Sequence, residues 1–440
     1  MKNRRRKPLP SGEFSADIVD LAQDGRGVAR IDGKATFIAD ALPGETVRFR
    51  YLHTGRDADE GQAVTVEVSS PDRVTPQCAH FGVCGGCALQ HLSPQGQIAF
   101  KQKQLSDAFA RIGKVSPEEM APPIMGETWH YRRRARLGAK HVPKKGGTLV
   151  GFRERESSYL AALDACQVLD ARVGLRLKAL AALIDTLAIR AQLPQIEVAA
   201  ADHVALVLRV LETPAEADLE KLRAFAAAEG VEIYLQPGGP QTIAPLSPPA
   251  RVLDYSPDGS DLRLRFQPTD FIQVNGSISQ QIVRRAIAWL APQPGERVLE
   301  LFCGLGNFSA PLARTGVELV AVEGEAGLVQ RARDNAARLG LTMRFERADL
   351  FVPDAHAPWL QGHFDAVLLD PPRSGAKEVL PLVAAKSPRR IVYVSCHPGT
   401  LARDAGLLVH EHGYRLVRAG VMDMFPHTAH VESMALFEKP

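Results

Sequence analysis

From about residue 295 the chain alternates short apolar runs with amphipathic stretches, and this pattern constrains the fold more than any other feature. "RVLELF", "VELVAVE", "MRFERAD", "FDAVLLD" and "RRIVYVS" read as strands, and segments such as "EAGLVQRARDNAARLG" separate several of them as helices. Alternation of this kind predicts a doubly wound, mainly parallel α/β sheet. In such sheets ligands bind outside the carboxyl ends of the strands. A reactive side chain just past a strand therefore carries functional weight.

Two further regions precede it, as expected for 440 residues, which exceed one ordinary domain. Residues 13 to 70 hold short alternating runs broken by Gly, Asp and Pro, with Val28, Phe37, Ile38, Val47 and Phe49 among them. That predicts a small OB-like β-barrel, a fold that commonly binds single-stranded nucleic acid. The middle mixes short strands and helices, including the amphipathic "LRLKALAALIDTLAIRAQL". The expected domains are 1–73 (barrel), 74–265 (small α+β domain) and 266–440 (α/β domain).

No apolar run approaches the roughly 18 residues of a membrane span, and the basic start "MKNRRRKPLP" lacks the apolar stretch of a secretory signal. A cytoplasmic protein without membrane contact is expected. Disulfides are rare in that compartment, so the six cysteines should be buried, metal-bound or reactive. Net charge is only +3, but it is clustered at "KNRRRK" and "HYRRRAR". If 129–136 is a strand, Arg132, Arg134 and Arg136 share one face, and such a row of guanidinium groups suits phosphates.

In "LELFCGLGNFSAPLA" a strand runs into Gly304 and Gly306 and then a helix, a turn that lets a ligand approach the backbone. Ser309 replaces the third glycine of the dinucleotide fingerprint. Glu323 ends the next strand about 20 residues later, as expected of a carboxylate that takes ribose hydroxyls. Asp349 ends the third strand. Together these predict an adenosine ligand without a pyrophosphate, namely S-adenosylmethionine. "LLDPPRSG" places Asp370 after the fourth strand. Arg373 stands where amine-methylating enzymes carry an aromatic residue, which argues against exocyclic amine chemistry.

"VYVSCHPGTLARD" then places Cys396 at a strand end. Uracil C5 is too weak a nucleophile to take a methyl group from a sulfonium. A thiolate added at C6 turns C5 into an enolate carbon, and a base must later remove the C5 proton. A free thiol with a pKa of about 8.5 is a few per cent thiolate at neutral pH. Cys303, inside the glycine turn, is expected to pack there. Glu432, just before "SMALFEK", is the favoured base, ahead of His427 and His430. Finally, "CAHFGVCGGC" and "LDACQVLD" supply Cys78, Cys84, Cys87 and Cys166. Their spacing fits iron–sulfur ligation better than zinc, without fixing the cluster type.

In this order the motifs resemble the RNA uridine-5-methyltransferases, in particular the TRAM-containing, iron–sulfur 23S rRNA (uracil-5-)-methyltransferases. The resemblance spans nearly the whole chain and rests on "DGRGVAR…ALPGE", the Cys quartet, "YRRRARL", "DFIQVN", "LFCGLGNF", "LLDPPRSG", "YVSC" and "FPHTAHVESM". It implies a TRAM barrel, an iron–sulfur central domain and a Rossmann-like S-adenosylmethionine-dependent methyltransferase domain. It implies Cys396 as nucleophile and Glu432 as base. Gln273, Phe302, Asn307, Glu323, Asp349 and Asp370 match its S-adenosylmethionine positions. Cys78, Cys84, Cys87 and Cys166 match its [4Fe-4S] ligands.

The implied partner is 23S ribosomal RNA and the implied state a monomer. Arg132 and Arg134 are expected on phosphates. Phe271 is expected to stack on the flipped target base or a neighbour. The family usually has Asn where this chain has His397, and a His there has the means to lower the thiol pKa. Three alternatives stay open: methylation of a different rRNA uridine, methylation of a tRNA uridine, and an RNA-binding scaffold without activity.

Overall fold

The computed structural model describes residues 9–439, so the basic run at 2–7 lies outside the described residues. The chain divides into two compact units. One takes the residues up to Lys101 together with Glu154–Ser157 and Pro426–His430, and the other takes the remainder.

The first unit carries a six-stranded sheet in the order Phe14–Asp17, Thr46–Thr54, Ala58–Val68, Lys34–Ala39, Gly27–Ile31, Asp20–Leu21. Alternation decides its core: Val47 and Phe49 point inward and join Ala16, Ile18, Ala29 and Ile38, while Arg48 and Arg50, which alternate with them, face outward. The expected all-β segment is present there.

In the second unit, a six-stranded sheet runs Ala244–Pro245, Val231–Gln236, Val204–Arg209, Gln195–Ala200, Arg134–Val142, Gly147–Gly151. The expected strand at 129–136 starts only at Arg134, because Arg132 is tied by single bridges to Leu169 and Asn275. The expected long helix stops at Thr186, whose hydroxyl turns back onto the Leu183 carbonyl at 2.7 Å, and a short 3-10 turn, Arg190–Gln192, follows. Leu253–Tyr255 and Leu264–Phe266 form a separate hairpin ladder.

The large sheet has eight strands, ordered Arg344–Arg347, Glu318–Glu323, Arg297–Leu301, Ala366–Leu369, Arg390–Ser395, Glu432–Glu438, Arg415–Met422, Glu119–Met120. The first five are mutually parallel. Their side chains split by the two-residue period of a strand. Leu299, Leu301, Val367, Leu369, Ile391 and Tyr393 fill one face, whereas Val298, Ala366, Leu368, Val392 and Val394 fill the other. The helix Gly276–Leu290 covers the second face with Ile278, Ile282, Val283 and Ala286. The helices Leu380–Ala385 and Pro398–His410 cover the first with Leu380, Val383, Leu401 and Leu408. Both faces are dry, as a doubly wound parallel sheet requires. Among the described residues no helix is long and apolar enough to cross a membrane.

Candidate active site

The sheet registers build the site. In the antiparallel ladder Ser395 pairs with Ser433, so one further step sets Cys396 opposite Glu432, the first residue of its strand. On the other side, Leu369 pairs with both Leu301 and Tyr393 in parallel. Asp370 and Phe302 therefore leave neighbouring strands at the same rim, where the Asp370 N–H donates to the Leu301 carbonyl at 3.3 Å. Four groups distant in sequence meet because parallel strands end together.

The electrostatics of this rim are unusual. Burial, then the carboxylates of Glu432 and Asp370, push the Cys396 thiol up to about 11, and Arg373 works in the opposite direction. This corrects the expectation of a few per cent thiolate, which ignored the two carboxylates. Burial and then Glu432 raise Asp370 to about 8. Burial also lifts Glu300 to about 8, against the Ser309 hydroxyl that donates to its Oε2 at 2.6 Å, with Asp370 and Glu323 adding to the rise. Glu300 Oε1 is buried and has no hydrogen-bond partner. Carboxyl groups raised in this way favour the arrival of a cation, which lowers the cost of ionising them. Cys303 is buried and its thiol is pushed well above the ordinary range, so it is core filling, as expected.

The glycine turn follows the same rim. Phe302, Gly304 and Gly306 all have positive φ, at 64°, 58° and 100°. Gly304 is needed for its conformation rather than for space, since a Cβ there would meet nothing within 4 Å. For Phe302 the left-handed backbone is strained, which is common at ligand sites. The Gly304 N–H donates to Glu323 Oε2 at 3.0 Å, so the expected ribose carboxylate also fixes the turn. Asn307 accepts from the Tyr255 hydroxyl at 3.2 Å, and the Arg133 guanidinium lies over the Tyr255 ring at 4.6 Å. Arg133 Nε also donates to the Gln273 carbonyl at 2.7 Å, which ties the Gln273 and Asn307 segments together. Asp349 falls two residues beyond its strand and accepts from the Phe351 N–H at 2.9 Å. Phe271 is 70% exposed.

Other expected residues take different places. His397 Nδ1 accepts the Thr400 N–H at 3.2 Å and so caps the helix behind Cys396. His427 is buried in the first unit, where its N–H donates to Gln97 at 2.7 Å and its carbonyl accepts from Ala88 and Leu89, so its role there is structural. Arg134 is also structural. Its guanidinium lies 3.6 Å from Glu197 and donates to the carbonyls of Val198 and Pro268. Arg132 donates to the Arg134 carbonyl at 3.0 Å and lies over Phe152.

Cys78, Cys84 and Cys87 belong to the first unit and Cys166 to the second, and none forms a disulfide. The Gly86 N–H donates to Cys84 Sγ at 3.4 Å, the kind of bond that supports a thiolate ligand. No group of three or more His, Cys, Asp or Glu side chains in metal-holding geometry occurs among the described residues.

Comparison with known proteins decides what the rim belongs to. A relative from Alkalilimnicola ehrlichii, named 23S rRNA (uracil(1939)-C(5))-methyltransferase RlmD, is 54% identical over 99% of both chains. The chain belongs to the 23S rRNA (uracil-C5)-methyltransferase family. Members from Methylococcus capsulatus and Xanthomonas axonopodis pv. citri carry the same name and are each 50% identical over 99% of both chains. Residues 359–440 match the tRNA (Uracil-5-)-methyltransferase family model and residues 298–372 a methyltransferase domain. The fold is that of a Pyrococcus abyssi tRNA (uracil-54, C5)-methyltransferase solved with S-adenosyl-L-homocysteine, at TM-score 0.73, 23% identity and coverage of 96% of this chain and 99% of that one.

Within this (uracil-C5)-methyltransferase site, sequence reasoning missed Glu300 and Arg133. A signal existed for Glu300, because a carboxylate inside the buried run "RVLELF" needs a reason. None existed for Arg133, which is one of three consecutive arginines.

Proposed function

We propose that this protein transfers a methyl group from S-adenosylmethionine to C5 of a 23S rRNA uridine, the one its relatives' name numbers 1939. The observation that carries this reading is the register that sets Cys396 opposite Glu432, within a chain 54% identical over its length to such an enzyme. The tRNA alternative has behind it a family model that matches residues 359–440 alone and a likeness of fold at 23% identity, against relatives 50–54% identical over 99% of the chain. A single chain supplies both reacting groups, so a monomer suffices, working in the cytoplasm with ribosomal RNA as partner.

S-adenosylmethionine supplies an electrophilic methyl group on a sulfonium. Gln273, Phe302, Asn307, Glu323, Asp349 and Asp370 are the residues that would hold it. Its positive charge also suits the raised carboxyl group of Glu300. Cys396 loses its proton to water and adds through sulfur to C6, which makes C5 an enolate carbon. Asp370, largely protonated at neutral pH, is suited to donate a hydrogen bond to the developing oxyanion. C5 then takes the methyl group as the sulfur–methyl bond breaks, and neutral S-adenosylhomocysteine is the leaving group. Glu432 removes the C5 proton, the C5–C6 double bond re-forms and the Cys396 thiolate leaves. Phe271 is exposed and available to stack on a flipped base.

We further propose that Cys78, Cys84, Cys87 and Cys166 hold a [4Fe-4S] cluster. Four thiols at iron–sulfur spacing and the Gly86 N–H on Cys84 support it. Methyl transfer consumes no electrons, so its role is structural.

The reaction is tested with two variants. Cys396→Ala should bind RNA yet form no covalent adduct. Glu432→Gln should methylate and then stall as an RNA–protein adduct that survives denaturing electrophoresis, with turnover about two to four orders of magnitude lower. Substantial methylation by Cys396→Ala, or no adduct from Glu432→Gln, refutes this assignment.

A further inference from the structure

Asp404 lies in the helix Pro398–His410, which begins two residues after Cys396, and it is wholly buried. A buried carboxylate requires several partners. Its Oδ2 accepts the Ala376 N–H at 2.8 Å and the Tyr393 hydroxyl at 2.7 Å. Its Oδ1 accepts from Arg403 Nε at 2.8 Å, and Arg403 in turn donates to the Ser374 carbonyl at 2.9 Å. Three segments are thereby pinned together: the loop after Asp370, the strand that ends before Cys396, and the helix after it.

The loop is shaped for this grip. Gly375 has φ +80°, and a Cβ there would lie 2.5 Å from Arg403 and 2.6 Å from Asp404. Between Asp370 and the pinned residues sits Arg373, exposed and without an ion pair or side-chain hydrogen bond among the described residues. The charged groups acting on the thiol are Glu432 from the closing strand, and Asp370 and Arg373 from this loop; its chain neighbour His397 caps the helix. Arg373 is the cation among them.

We propose that Asp404 is a positioning residue: with Arg403 and Tyr393 it holds the 370–376 loop against the Cys396 strand end, and so keeps Arg373 beside the nucleophile. Its consequence for methylation rests on the function proposed above, but the clamp itself does not.

The test reads the thiol directly in the full-length protein without RNA. Iodoacetamide labelling of Cys396 is followed against pH by peptide mass spectrometry. Asp404→Ala should raise the labelling midpoint by about half a pH unit or more, which is about threefold less thiolate at a fixed pH below the midpoint. Asp404→Asn keeps an acceptor for Ala376 and Tyr393 and should return toward the wild-type curve. Arg373→Ala should raise the midpoint too, and adding Asp404→Ala to it should raise it no further, because both act through one charge. Gly375→Ala wedges the same contact and carries the test if Asp404→Ala does not fold. A folded Asp404→Ala or Gly375→Ala protein with the wild-type midpoint overturns the proposal, as do an Arg373→Ala protein with no shift and strictly additive shifts. Failure of the methylation reading would show separately, as absence of 5-methyluridine formation by the wild type.

Discussion

Replacing Glu300 by Gln should make the protein more stable at neutral pH, and the structure sets the size of the effect. Burial raises this carboxyl from 4.5 to about 8, and one of its oxygens has no partner. Between those values the folded protein holds a proton that the unfolded chain has released. The folded state then binds more protons, so stability falls as pH rises, by about 1.4 kcal/mol per unit. The loss from this one group amounts to about 3 kcal/mol at pH 7 and about 5 kcal/mol above pH 8, where it levels off. Gln cannot ionise and still accepts the Ser309 hydroxyl. The stability difference between variant and wild type should therefore widen by about 3 kcal/mol from pH 4.5 to pH 7. Urea denaturation of the ligand-free proteins, followed by the fluorescence of Trp289 and Trp359 in the two cores that flank the Glu300 strand, measures it. Parallel stability curves for the two proteins across that window would refute the reasoning, because they would mean that Glu300 ionises normally.

The two arginines first read together should separate. Arg134→Ala takes a buried guanidinium from the carbonyls of Val198 and Pro268 and from Glu197, which keeps Arg136 and Gln195, and should cost about 1–3 kcal/mol in denaturation experiments. Arg132→Ala should instead weaken RNA binding and lower its salt slope by about one unit per lost phosphate contact; an unchanged slope would assign Arg132 to structure as well. Anaerobically purified protein should be brown, with iron and sulfide in near-equal amounts, and Cys87→Ala should lose both. Stoichiometric zinc without iron would rule the cluster out.

Much of this protein was legible from local patterns. Continuous apolar runs separated by amphipathic helices set the parallel sheet, because strand and helix periods act over a few residues. Glycines beside a strand end marked the turn at Gly304 and Gly306, and a cysteine after "VYVS" marked Cys396. The tertiary structure decided what these groups do to one another. Cys396 and Glu432 lie far apart in sequence and meet only because Ser395 and Ser433 fall in register. The thiol near 11 and the carboxyls near 8 sum burial and charge from separate strands, and no window of sequence contains that sum. Arg132 and Arg134 are chemically alike and two residues apart, yet Glu197, Val198 and Pro268 claim one of them. Asp404 reads as a polar residue on an amphipathic helix until Ala376, Tyr393 and Arg403 converge on it. Side-chain type is local, whereas burial, partner and proton affinity belong to the neighbours that folding brings together.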